Sequence, residues 1–170
     1  MYEEALRRLR DAETLAGALP FDAQSDSPYL LRLLGLELLL KFIYEHTLSR
    51  SGGGHDYHIL FGELPQYMQE KLLKLAGERI GPSRLSTDHI SVLREWGKNF
   101  VAMRYPWERY SGLTEEQYSK LGERWVERGA KIEAATYRYY PEEMVGFLAA
   151  MGKVADDLAN SSLHTDASCR

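Results

Sequence analysis

Cysteine is almost missing from this 170-residue chain, Cys169 being the only one, so no intrachain disulfide and no cysteine-based metal site can form. That absence favours a reducing compartment, and a cytoplasmic protein is expected. No secretory signal is expected either: Met1-Tyr2-Glu3-Glu4, followed by Arg7, Arg8 and Arg10, puts charge where an apolar run would have to lie. Nor is there a stretch of about 20 apolar residues, the length that spans a bilayer. The most hydrophobic segment, Tyr29 to Tyr44, is interrupted by Arg32, Glu37 and Lys41 and reads as a core helix. Internal repeats, low-complexity segments and sustained heptads are absent, which excludes solenoids and coiled coils. So is any basic excess: a formal net charge of -4 argues against wholesale coating of nucleic acid, although a local basic patch can still hold phosphates.

The remaining composition, 44% hydrophobic and 27% charged, is that of an ordinary globular protein. The length suits a single domain, expected over residues 1–160 with a disordered tail at 161–170. Hydrophobic spacing predicts an all-α, up-and-down bundle of about five to seven helices. Leu6, Leu9 and Leu15 mark an amphipathic first helix over residues 3–17, which stops before Gly17 and Pro20. Ser27-Pro28 opens a second, with serine as cap and proline in the first turn. Leucines then occupy nearly every face through Leu40, the pattern of the most buried helix of a bundle, and Ser49 to Gly54 ends it.

A short helix is expected near Tyr57, Leu60, Phe61 and Leu64, and another after Pro65 that runs to Gly77. Thr87 or Asp88 would cap a long fifth helix with Ile90, Leu93, Trp96, Phe100 and Val101 on one side, Arg104 on that same side, and Pro106 forcing its end. Thr114-Glu115-Glu116-Gln117 has the form of a capping box before a helix to about Arg128. Lys131 to Tyr140 reads as an extended segment or a loop lying on the bundle. Pro141-Glu142-Glu143 opens the last helix, with Met144, Leu148, Met151, Ala155 and Leu158 on one face.

Three groups of residues can carry chemistry. His55 and His58 have a spacing that can present two metal ligands on one helix face, but no third ligand has supporting spacing, so no metal and no cofactor is expected. Glu37 and Lys41 form an i, i+4 pair on the buried helix, where unpaired charges are expensive. Asp56 is the expected third partner of that pair. The densest cluster is Arg104-Tyr105-Pro106-Trp107-Glu108-Arg109-Tyr110. Its arginines can clamp a phosphate and its aromatics can stack on bases. In the alternative, Arg104 binds carbonyls or Glu108 while Tyr105 and Trp107 fill the core.

Leu36-Glu37-Leu38-Leu39-Leu40-Lys41, then Gly54-His55-Asp56 with Leu60-Phe61 and Leu64-Pro65, then Phe100-Val101 through Arg104-Tyr105 to Glu108, resemble in order and spacing the higher eukaryote and prokaryote nucleotide-binding (HEPN) superfamily, in its bacterial stand-alone form. The resemblance covers residues 28–110. It implies a helical bundle, commonly a homodimer, in a family of RNase toxins, defence proteins and noncatalytic binding modules. Its catalytic members place a histidine after four to six residues beyond an arginine, for metal-free RNA cleavage. Counted from Arg104, those positions hold Arg109, Tyr110 and Ser111. Neither arginine nor tyrosine is a good general base near neutrality.

The expectation is therefore a noncatalytic HEPN-like homodimer, with no membrane contact and no catalytic residue, that binds RNA, a nucleotide or a partner protein through Arg104, Tyr105, Glu108, Arg109 and Tyr110. Glu37, Lys41, His55 and Asp56 are expected to form a structural polar motif. Two other readings stand beside it: an atypical ribonuclease or toxin of a defence system that draws on His55 or His58, and a protein-interaction module with no nucleic-acid role.

Overall fold

A computed structural model of the chain describes residues 1–18, 25–131 and 134–167, except for the side chains of Pro106, Arg109 and residues 162–167. The elements are α1 Tyr2–Ala18, α2 Ser27–Leu48, α3 Tyr57–Glu63, α4 Gln66–Ile80, α5 Arg84–Arg104, α6 Pro106–Tyr110, α7 Glu115–Ser119, α8 Leu121–Glu127 and α9 Pro141–Ala167. No strand occurs among the described residues, and the protein is the all-α bundle its periodicity predicts. Helix α9 continues past Asn160 to Ala167, while residues 168–170 of the expected tail lie outside the described residues. Among the described residues no helix is long and apolar enough to cross a membrane.

Helix α2 is the axis of the molecule, packed by α1, α3, α5 and α9, and this is why it carries leucine on nearly every face. Leu33, Leu36, Leu39, Leu40 and Ile43 are wholly buried. Its cap differs from expectation. Asp26, not Ser27, is the residue before the first turn, and its carboxylate makes no capping bond. Asp26 Oδ1 instead accepts the Tyr139 hydroxyl at 2.9 Å, a tertiary contact.

Helix α5 starts earlier than Thr87 or Asp88, because Ser83 and Ser86 form a capping box ahead of both. The helix then breaks at Asp88 (φ -154, ψ 55), where Asp88 Oδ1 accepts the Ser91 N–H at 3.3 Å and caps the longer segment. A hydrogen bond with the Ser91 side chain, chiefly, and then this backbone bond hold the Asp88 carboxyl below the usual carboxylate range. The buried stripe is Val92, Leu93, Trp96, Phe100 and Met103, whereas Ile90 and Val101 are exposed. At about 100° per residue those two lie roughly a third of a turn from the centre of the stripe, which removes them from the predicted core.

Thr114 and Gln117 form the predicted capping box, although the helix that follows is interrupted at Lys120 into α7 and α8. The tyrosine-rich stretch before α9 is a loop on the bundle. Trp96 Nε1 donates to the Tyr139 carbonyl at 3.1 Å and Asn99 Nδ2 to the Arg138 carbonyl at 2.9 Å, so two buried α5 side chains find their partners in that loop.

Candidate anion-binding site

The site grows from one buried carboxylate. Glu37 sits on α2 with only 5% of its surface exposed, and a charge there requires partners. The helical i, i+4 spacing provides the first: Lys41 Nζ donates to Glu37 Oε1 at 2.9 Å. The second is His55, whose Nδ1 lies 2.8 Å from Glu37 Oε2. Asp56, expected in that place, is exposed and caps no backbone donor, so the neighbouring residue takes the role assigned to it. Tyr57 closes the inner side. It is fully buried, its hydroxyl donates to the Leu33 carbonyl at 3.2 Å, and burial first, then the Glu37 charge, pushes its phenol far above the usual range.

Glycine permits this arrangement at one position in particular. A Cβ on Gly97 of α5 would meet the His55 carbonyl oxygen at 2.6 Å, so only glycine lets the backbone at His55 to Tyr57 lie directly on α5. An alanine in the interior of a helix ordinarily adds about 1 kcal/mol of stability over glycine. Here the sign reverses: Gly97→Ala is expected to lower stability in chemical denaturation by about 1–3 kcal/mol, because the obstacle is backbone and cannot rotate away.

From His55 the site continues outward over Phe100. The His55 ring packs 5.3 Å from the Phe100 ring, and the Arg104 guanidinium carbon lies 4.5 Å from the centre of that same ring and 5.9 Å from that of Tyr105. Arg104 is exposed, and among the described residues it forms no salt bridge, with Glu108 or with any other acid. The alternative that buried Tyr105 and Trp107 in the core does not hold: they are 51% and 67% exposed. Helix α5 ends at Arg104, and Pro106 opens the short α6 after Tyr105.

Of the predicted cluster, Arg104 and Tyr105 thus stay together, Glu108 is exposed beside them in sequence, and Tyr110 turns toward Tyr118, ring to ring at 5.0 Å. The side chain of Arg109 lies outside the described residues. Glu37, Lys41 and His55, predicted as a separate structural motif, prove continuous with Arg104 through Phe100. Sequence reasoning missed Phe100 as the shared platform and Gly97 as the point of close approach. A lone glycine inside a strongly helical run was the available signal for the latter. Among the described residues no three His, Cys, Asp or Glu side chains gather as metal ligands would.

Fold and site together define an all-α bundle with a cationic and aromatic edge built around one buried carboxylate, an arrangement suited to anions and planar rings. Comparison with known protein families, with curated proteins and with solved structures finds no match for this chain.

Proposed function

We propose that the protein is a noncatalytic, HEPN-like binding protein for single-stranded RNA, and that Arg104, Tyr105 and Trp107 carry the interaction. One observation supports this reading above the others. Arg104 stands exposed at the end of α5, held over Phe100 and without an acidic partner among the described residues, beside two aromatic side chains that are half or more exposed. A structural arginine would be expected in a salt bridge, and structural aromatics inside the core. A guanidinium free to meet a phosphate and rings free to stack on bases are the two components of single-strand recognition. The chain has no histidine at the positions where the resembled family's ribonucleases carry one, so binding without efficient cleavage is the reading retained.

Fluorescence anisotropy with a labelled single-stranded RNA tests it, with gel analysis of the same samples for cleavage. Wild-type protein is expected to bind without cutting, and Trp107→Ala to weaken binding roughly fivefold or more, the loss of one stacked base at about 1–3 kcal/mol. Absence of binding at low salt would reject the proposal in favour of a protein-interaction module. Metal-independent cleavage abolished by Arg104→Ala would reject its noncatalytic part.

A further inference from the structure

We infer that Lys41, His55 and Arg104 form a single phosphate seat, floored by Phe100 and held by Glu37 as positioning residue, whose occupant is a phosphodiester of single-stranded RNA. The inference rests on the proposed RNA reading and extends it to residues of α2 and of the loop before α3.

The geometry carries it. The His55 ring and the Arg104 guanidinium lie 5.3 and 4.5 Å from the same Phe100 centroid, so their separation cannot exceed the sum of those distances. A phosphate that accepts a hydrogen bond on either side, at about 2.8 Å per bond, spans a distance within that bound. Glu37 occupies Nδ1 of His55, which leaves Nε2 as the nitrogen able to face a ligand, a donor when the ring is charged. The same carboxylate uses one of the three donors of Lys41 and leaves the others.

Charge and exposure agree with the geometry. Glu37 pairs with Lys41 and His55 and leaves Arg104 without a salt bridge among the described residues, so the cluster retains positive charge within a chain of net -4. Of the nearest acids in sequence, Glu45 accepts the Ser51 hydroxyl at 2.8 Å, Asp56 and Glu108 are exposed, and none of the three forms a salt bridge with Lys41, His55 or Arg104 among the described residues. The side chain of His55 is 39% exposed whereas that of Glu37 is 7% exposed, so an incoming anion meets the donors and not the carboxylate beneath them. An ion pair serving stability alone would be complete with Glu37, Lys41 and His55. Arg104, over the Phe100 ring, adds a second, unneutralised cation that such a pair does not require.

The test is long-range 1H–15N NMR of the histidine rings in the full chain, titrated with inorganic phosphate and separately with single-stranded RNA, alongside anisotropy on His55→Asn and Lys41→Met. Saturable movement of the His55 Nε2 resonance with both probes is expected, tighter with RNA and lost in Arg104→Ala. Each substitution is expected to weaken RNA binding roughly tenfold, the loss of one hydrogen bond to a charged group. RNA binding that leaves the His55 resonances unmoved and both variants at wild-type affinity would overturn the seat while leaving the RNA reading intact. Phosphate moving His55 without any RNA binding would overturn the assignment of the occupant, and no response to either probe would overturn seat and function together.

Discussion

Replacing Glu37 by alanine is expected to remove about 3–5 kcal/mol of folding stability, the typical loss when one member of a buried ion pair is deleted. The mechanism is specific. Lys41 and His55 both use this carboxylate, and its removal leaves an ammonium with 18% side-chain exposure and a ring nitrogen with no acceptor inside the bundle. For a domain whose total stability is in the range of about 5–15 kcal/mol, that loss takes much of the margin. At about 2–4 °C per kcal/mol in a domain of this size, Tm should fall by roughly 10 °C. Glu37→Gln should lose less, since an amide keeps an oxygen for Lys41 and a polar group for His55. Lys41→Met should also be milder, because His55 remains on the carboxylate. Urea denaturation of the three variants checks the order, and a Glu37→Ala protein within about 1 kcal/mol of wild type would show that the carboxylate is not the anchor described.

Trp96→Ala is expected to cost about 3–5 kcal/mol through a different physical route. Trp96 is completely buried on α5, packs 5.9 Å from the ring of Phe147 on α9, and donates Nε1 to the Tyr139 carbonyl. Its loss empties a large core volume and removes the shorter of two hydrogen bonds to the Tyr139 carbonyl, which keeps the Tyr29 hydroxyl at 3.4 Å. Trp96→Phe separates these effects by keeping most of the volume and deleting the donor, for a smaller loss of about 1–2 kcal/mol. Calorimetry reads both. Equal losses for the two substitutions would assign the whole effect to the hydrogen bond and none to the cavity.

Sequence and structure agree where the cause is local or periodic. The leucine-saturated stretch from Leu33 to Leu40 became the central helix, and Thr114 with Gln117 made the capping box that their spacing specifies. The Glu37–Lys41 pair follows from helical geometry alone. Disagreement lies where long-range contact decides. Ser27, the expected cap, lies inside α2, and Asp26 before it accepts from Tyr139, more than a hundred residues later, and makes no capping bond. The third partner of the polar motif was the neighbour of the residue expected, since which of two adjacent side chains faces inward depends on how the loop lies on Gly97. Ile90 and Val101 left the core because the buried stripe of α5 is centred on Val92, Trp96 and Met103, a register fixed by the helices packed against it. The candidate site was therefore legible as two separate pieces. Only packing placed His55 and Arg104 on one phenylalanine ring.

The salt dependence of RNA binding bears most directly on the central claim, because phosphate contacts release counterions and stacking contacts do not. Wild-type protein is expected to show log Kobs falling linearly with log salt, and Arg104→Ala to reduce that slope by about 0.7, the value of one phosphate contact on a single strand. A salt slope identical in wild type and Arg104→Ala would mean that this arginine meets no phosphate, and would contradict the account.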